Sequence, residues 1–330
     1  MAAKEFKALV VEEQDQAYAR AVKTRTIDQL PAGTLLIRVA YSSLNYKDAL
    51  SATGNKGVTK NYPHTPGIDA AGIVEHSDDP AFGTGDHVIV TGYDLGMNTD
   101  GGFGQYIRVP AQWALKPPQG LTLKQAMIFG TAGFTAGISV AKLGVHVPPD
   151  AGDVVVTGAT GGVGSMSVAL LAKQGYRVVA VTGKSTEHAF LKHLGAYRIV
   201  SREEFQNPDK RPLLQAQWAG GIDTVGGTML ENMIKSTGPL GVVTCCGNVA
   251  SADINLTVYP FILRGITLIG IDSQHYPMAD RLCLWQKLAG EWKPDVLDEL
   301  CTEKILDELD ACIDRMLAGQ LKGRIVVNML

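Results

Sequence analysis

Hydrophobic positions along the first 125 residues fall in short runs broken by Gly, Pro and Asp, with little helical periodicity. Residues 6–11, 34–42, 70–75, 87–91 and 105–109 read as strands on this pattern. Pro117-Pro118-Gln119-Gly120 punctuates the end of the stretch. From 122 to 143 the spacing becomes helical, and strands then alternate with helices. Apolar runs at 154–157, 177–182, 197–200, 222–225, 241–245 and 267–272 predict six strands, enough for a complete doubly wound parallel sheet. After Ser273 the pattern predicts helices at 280–288 and 306–317. A last strand, 323–328, is expected to return to the β-rich part. The expected organisation is therefore α/β: a β-rich domain over 1–125, completed by 274–330, and a dinucleotide-type domain over 126–273.

The junction after the first of the six strands carries the strongest chemical signal. Asp153-Val-Val-Val-Thr-Gly-Ala-Thr-Gly-Gly-Val-Gly-Ser165 runs an apolar strand into glycines 158, 161 and 164, and a helical pattern, 165–173, follows. Glycines here allow a tight turn and a close backbone approach to a pyrophosphate, and the helix N-terminus offers N–H groups to its charge. Thr160, Gly161, Gly162 and Val163 are the expected cofactor contacts in this loop. The plainer alternative is an ordinary Gly-rich turn.

One strand further on, a site for NAD usually has an acid ~20 residues past the glycines, to accept from the ribose 2′-OH. Thr182-Gly183-Lys184-Ser185 stands there instead, and Arg202 follows the third apolar run. Hydroxyls and cations suit a 2′-phosphate, which selects NADPH. Read plainly, Lys184 and Arg202 would be solvated surface charges.

Composition narrows the class. A chain of 330 residues has room for two cores, and its net charge of −3 disfavours nucleic acid and anionic membranes as partners. Glycine, 37 of 330, exceeds the usual ~7%, which fits tight turns and close cofactor contacts. Met1-Ala-Ala-Lys-Glu-Phe-Lys7 lacks the apolar core of a secretory signal. No run reaches the ~18 uninterrupted apolar residues of a membrane span, so a cytoplasmic protein is expected. All five cysteines (245, 246, 283, 301 and 312) follow residue 240 without metal-ligand spacing, and are expected to be free, mostly buried thiols.

Pro66-Gly-Ile-Asp-Ala-Ala-Gly72, Gly83-Thr-Gly-Asp-His-Val88, Gly101-Gly-Phe-Gly-Gln-Tyr106 and the 158–164 loop together resemble the medium-chain dehydrogenase/reductase superfamily over essentially the whole chain. Ser42-Ser-Leu-Asn-Tyr-Lys-Asp-Ala49, Gly130-Thr-Ala-Gly-Phe-Thr135 and Tyr259-Pro-Phe-Ile-Leu-Arg264 look like its zinc-free, quinone-oxidoreductase-like branch that includes bacterial acrylyl-CoA reductases. The resemblance implies a GroES-like catalytic domain, a Rossmann domain, NADPH between them, and homodimers.

The same resemblance assigns roles. Asn45, Tyr46 and Asp48 are the catalytic candidates: an amide donor, a ring or hydroxyl for the nicotinamide, and a holder of the local hydrogen bonds. Asp48 as a plain helix cap is the competing reading. Tyr46, Gly247, Asn248, Ile262, Ser273 and Arg324 are expected at the cofactor, with Arg264 and Tyr93 as weaker substrate-side candidates. Zinc-dependent relatives carry a cysteine near position 45 and a Gly-His-Glu motif, where this chain has Asn45 and Asp69. His64, His76 and His87 read as surface or packing residues, and no metal is expected. The expected reaction is reduction of a short 2-enoyl-CoA, acryloyl-CoA above all. The alternatives are a quinone or enone as acceptor, or a non-catalytic NADPH-binding protein.

Overall fold

A computed structural model describes residues 4–15, 17–206 and 209–330. The first three residues of the N-terminal segment considered above lie outside the described residues. The chain divides into two compact units, one of Met1–Thr131, Gln274–Ala289 and Leu297–Leu330, the other of Ala132–Ser273 and Gly290–Val296. The first crossing falls inside a helix, between Thr131 and Ala132, six residues beyond the expected boundary. Residues 290–296 group with the second unit rather than with the return segment.

The first unit begins with a hairpin, β1 (Glu5–Gln14) against β2 (Ala17–Thr26), whose second strand the hydrophobic pattern did not suggest. In Ala17-Tyr-Ala-Arg-Ala-Val-Lys-Thr-Arg-Thr26 no residue is fully buried, so the strand lacks the apolar face that marks a core element. There follow β3 (Leu35–Leu44), the short helix α1 (Tyr46–Ser51), β4 (Asp69–Ser77), β5 (His87–Thr91), β6 (Tyr106–Val109) and β7 (Ala114–Leu115). Helix α2 (Leu123–Gly144) follows, broken at Gly130, whose φ of 50° and ψ of −158° lie outside helical geometry. It is long and apolar enough to cross a membrane, and most of it is buried inside the protein.

The second unit holds β8 (Asp153–Val156), α3 (Gly162–Lys173), β9 (Arg177–Thr182), α4 (His188–His193), β10 (Arg198–Ser201), α5 (Arg202–Phe205), β11 (Trp218–Asp223), α6 (Gly227–Ser236), β12 (Thr237–Cys245), α7 (Tyr259–Arg264) and β13 (Thr267–Gly270). Its six strands are parallel in the order β10-β9-β8-β11-β12-β13. This is the doubly wound order, with the switch point between β8 and β11. Val154, Val155, Val156, Val178, Val179, Ala180 and Val181 are fully buried, as expected of strands covered on both faces.

Back in the first unit come α8 (Met278–Ala289), β14 (Cys301–Ile305), α9 (Leu309–Leu317) and β15 (Arg324–Asn328). The last strand pairs antiparallel with β3, Ile325 opposite Leu44 and Val327 opposite Ser42, as its apolar pattern required. It also takes β14 as a parallel neighbour, closing the sheet order β14-β15-β3-β4-β5-β7. The start of β15 thereby lies beside the end of β3, from which α1 starts.

Candidate functional site

In the second unit the candidate residues gather at the C-terminal ends of the parallel strands, where doubly wound sheets bind ligands. Gly158 adopts φ 59°, which lets the chain turn back on itself after β8. Gly161 is the N-cap of α3, and a Cβ on Gly164 would lie 2.2 Å from the Gly158 carbonyl oxygen. Helix and loop therefore meet only because these positions lack side chains. Gly161 is exposed, and Gly162 and Val163 are half-buried, so this glycine-lined helix start fits a pyrophosphate. Thr160 is buried. Across the switch point Thr157 Oγ1 donates to Asp223 at 2.6 Å, and Asp223 accepts from the Gly226 N–H at 2.8 Å. Burial pushes the Asp223 carboxyl above the usual range. Motif reading did not single out Thr157 or Asp223, because their pairing spans 66 residues.

At the end of β9, Thr182 Oγ1 accepts from the Lys184 N–H at 3.0 Å. A Cβ on Gly183 would lie 3.1–3.2 Å from three atoms of the Arg202 guanidinium, so Arg202 packs on this glycine. Burial, with Arg202 beside it, lowers the Lys184 pKa, and Glu187 partly offsets this. Ser185 is exposed beside them. Two cations and two hydroxyls thus lie at the ends of two paired strands, β9 and β10, an arrangement suited to a phosphate dianion. Half-buried Gly247 and exposed Asn248 follow β12. A Cβ on Gly247 would come within 2.0 Å of the Thr224 carbonyl oxygen. Ser273 Oγ accepts from Thr135 Oγ1 at 2.8 Å, and Ile262 is exposed on α7.

In the first unit the Asn45-Tyr-Lys-Asp48 segment forms the start of α1. Asn45 is the N-cap and Asp48 completes a capping box, its Oδ2 accepting from the Asn45 N–H at 2.8 Å. The other oxygen of Asp48 accepts from the Ile68 N–H at 2.8 Å. Both expectations for Asp48 therefore hold at once: it caps the helix and it holds the local hydrogen bonds.

The amide of Asn45 is not available as expected. Its Nδ2 donates to Asp69 Oδ2 at 2.7 Å and to the Ser43 carbonyl at 3.2 Å, while its Oδ1 accepts from Arg324 at 3.1 Å. Asn45 is buried, and its donors point into the protein. Tyr46, the first helical residue, is 39% exposed, and its side chain makes no hydrogen bond among the described residues. Of the three candidates it alone presents a group to an incoming molecule.

Arg324 is the second correction. It was expected to reach the cofactor, yet it is buried, and its guanidinium is committed within the first unit. Nε donates to the Ile128 carbonyl at 3.0 Å, Nη1 to Asn45 Oδ1 and the Leu44 carbonyl, and Nη2 to Ser43 Oγ at 2.8 Å. Its Nη2 lies 3.8 Å from Asp69 Oδ2, both side chains almost wholly inaccessible. Asp69 also accepts from Ser43 Oγ at 2.6 Å and from both the N–H and Oγ1 of Thr131. Arg264, a candidate for a substrate phosphate, instead donates to the Lys235, Thr237 and Leu214 carbonyls. Tyr93 is held by its neighbours, stacked on Trp113 at 5.6 Å with the Arg281 guanidinium 4.9 Å from its ring.

Zinc does not fit here. Among the described residues no three His, Cys, Asp or Glu side chains group as ligands, and Asp69 and Asn45 are bound to Arg324. His64 is buried against the Gly96 carbonyl, while His76 and His87 are exposed. The five cysteines are free, but only Cys312 is buried and Cys283 is exposed. Burial pushes the Cys246 thiol up to about 12, which suits packing rather than redox work.

Comparison with known proteins agrees with both units. The alcohol dehydrogenase GroES-like domain family matches residues 31–119, and the zinc-binding dehydrogenase family matches residues 162–286. Acrylyl-CoA reductase AcuI of Ruegeria pomeroyi is 42% identical over 98% of this chain and 99% of its own length. YhfP of Bacillus subtilis, named as a quinone oxidoreductase, is 41% identical over 98% of this chain and 99% of its own. Its structure with NAD bound superposes with a TM-score of 0.96, covering 99% of this chain and 100% of that one. The yhdH oxidoreductase from Salmonella enterica in complex with NADP gives a TM-score of 0.95 at 42% identity, over 98% and 100%.

The buried Asp48 carboxyl provides a test of the capping network. Burial, reinforced by Asp69 and opposed by the bonds from Asn45 and Ile68, raises its pKa from 3.8 to about 7. Across that window the folded protein keeps a proton that the unfolded chain has lost, so the Asp48 contribution turns against folding as pH rises. Asp48→Asn removes the titration. From about pH 5 to about pH 8 the wild type should lose stability relative to the variant, read as the change in the difference between their urea midpoints. A difference independent of pH would show that Asp48 ionises as an ordinary carboxylate.

Proposed function

Because this chain belongs to the medium-chain dehydrogenase/reductase superfamily, with a GroES-like and a Rossmann unit, we propose that it is an NADPH-dependent oxidoreductase. We assign it reduction of the C=C bond of a short 2-enoyl-CoA, most of all acryloyl-CoA. The observation that carries the reading is the first turn of α1. Its polar groups are bound inward and form no zinc donor set, while Tyr46 stands exposed. Such a turn offers no Lewis acid to hold an alcohol oxygen. It suits delivery of hydride to an alkene that is already activated.

When bound, NADPH supplies the hydride that adds to the alkene β-carbon. The Gly158–Gly164 loop and the start of α3 would hold the pyrophosphate. Thr182, Lys184, Ser185 and Arg202 would hold the 2′-phosphate. Charge developing on the thioester oxygen must be met by the site, and the alkene must be held in a reactive orientation. Tyr46 acts chiefly through its ring, positioning the nicotinamide and the thioester, and water returns the proton to the α-carbon. Asn45 and Asp48 serve by holding that turn. The same surface could take a quinone, the acceptor in the name of YhfP. A cytoplasmic setting agrees with the five free thiols.

Assembly belongs to the same reading. β13 is an edge strand, and nearby helix α7 exposes Ile262 and Leu263, with Val258 and Tyr259 at its start. An edge and apolar residues of this kind are usually covered, and a second copy pairing around a twofold axis would cover them.

Four measurements test these statements. Steady-state NADPH oxidation with acryloyl-CoA, crotonyl-CoA and a naphthoquinone should give the highest kcat/KM for acryloyl-CoA. Tyr46→Phe should be tolerated, and Tyr46→Ala should raise the NADPH Kd. A strong loss of kcat in Tyr46→Phe would instead make the hydroxyl a donor. Lys184→Ala and Arg202→Ala should each weaken NADPH by about 1–3 kcal/mol and leave NADH nearly unchanged. Equal use of NADH and NADPH by the wild type would refute that assignment. Sedimentation at micromolar concentration should give twice the 35.2 kDa chain mass, and the monomer mass would refute the dimer.

A further inference from the structure

We propose that Asp69 and Arg324 are positioning residues of the reaction, holding through Asn45 the turn on which Tyr46 stands. This rests on the reading of Tyr46 given above and extends it by a layer. The pair lies wholly inside the first unit and touches no surface, so neither member can meet a substrate. Their hydrogen bonds converge on the end of β3 and the start of α1. Arg324 takes the Leu44 carbonyl and Asn45 Oδ1, and Asp69 takes Asn45 Nδ2. Both ends of the Asn45 amide are thereby fixed, one by the cation and one by the anion. Because Asn45 is the N-cap, its orientation sets where the next residue, Tyr46, emerges.

The pair is held from behind as well. Thr131 gives Asp69 its N–H and its hydroxyl, and Ser43 Oγ bridges the two ions, donating to Asp69 and accepting from Arg324. Gly130 makes this possible. A Cβ there would lie 2.5 Å from Asp69 Oδ2, 2.6 Å from Ser43 Oγ and 2.8 Å from Arg324 Nη2. A guanidinium suits the task because its planar fork reaches four acceptors at once, which an ammonium cannot.

The test uses Arg324→Lys, which keeps the charge and loses the fork, and Thr131→Val, which removes one donor to Asp69 and leaves no ion unpaired. Each is measured for kcat with acryloyl-CoA or the best acceptor found, for NADPH Kd by fluorescence, and for thermal midpoint. Small displacements of an oriented group can lower rate on the order of 10²-fold. Arg324→Lys is expected to lose at least tenfold in kcat, and Thr131→Val a smaller but clear fraction, with NADPH Kd within twofold of wild type. A purely structural pair would lower the thermal midpoint and leave kcat of the folded protein unchanged, and that result would overturn the proposal. If Arg324→Lys does not fold, Thr131→Val decides alone: wild-type kcat overturns the inference and a reduced one supports it. A wild type that reduces no acceptor would refute the functional reading itself, which separates the two failures.

Discussion

Where α2 breaks at Gly130, the Ile128 carbonyl and the Thr131 N–H are taken up by one buried ion pair. Arg324 donates to the first and Asp69 accepts from the second. The same two side chains reach across to the end of β3 and the cap of α1. A strand end, a helix cap, a helix break and the last strand of the chain thus meet on two charges. Burying such charges is expensive, and removing one partner of a buried pair typically costs about 3–5 kcal/mol because the other is left uncompensated. The arrangement therefore tolerates little partial loss.

The second unit depends on a different economy, in which small residues replace charge. Its loop after β8 is shaped by what Gly158 and Gly164 lack, and Gly247 lies against the backbone of Thr224 for the same reason. Backbone proximity of this kind is written in consecutive residues. That is why the strand, the glycine loop, the helix and the missing acid after β9 were all legible in the sequence. The six strands were found with errors at their ends, largest at the starts of β11 and β12, each four residues earlier than expected; in β11 Trp218-Ala-Gly-Gly hides the strand start among glycines.

What the sequence did not disclose lay in pairings far apart along the chain. Asp69 drew notice only as the residue standing where a relative has glutamate. Its partners Ser43, Asn45 and Thr131 lie 26, 24 and 62 residues away, and Arg324 sits on the final strand. Asn45 was credited with a donor that Asp69 already takes. β2 and β14 were missed for a related reason: neither contains a fully buried residue, so neither carries an apolar face to read.

Two arginines show how burial, rather than residue type, divides these roles. Arg324 and Arg202 carried the same expectation, contact with the cofactor. Arg324 is inaccessible, and burial disfavours its charge until the carboxylates of Asp69 and Asp48 compensate it. It is spent on the architecture. Arg202 is exposed, lies against Gly183, and makes no side-chain hydrogen bond or ion pair among the described residues. Its charge sits beside Lys184, and each raises the electrostatic cost of the other, a repulsion that an arriving dianion would turn into attraction. A residue whose polar atoms are all committed can only orient its neighbours. One held in place but left uncompensated is equipped to bind. By that criterion Arg324 belongs to the framework of the first unit, and Arg202 to the proposed phosphate site of the second.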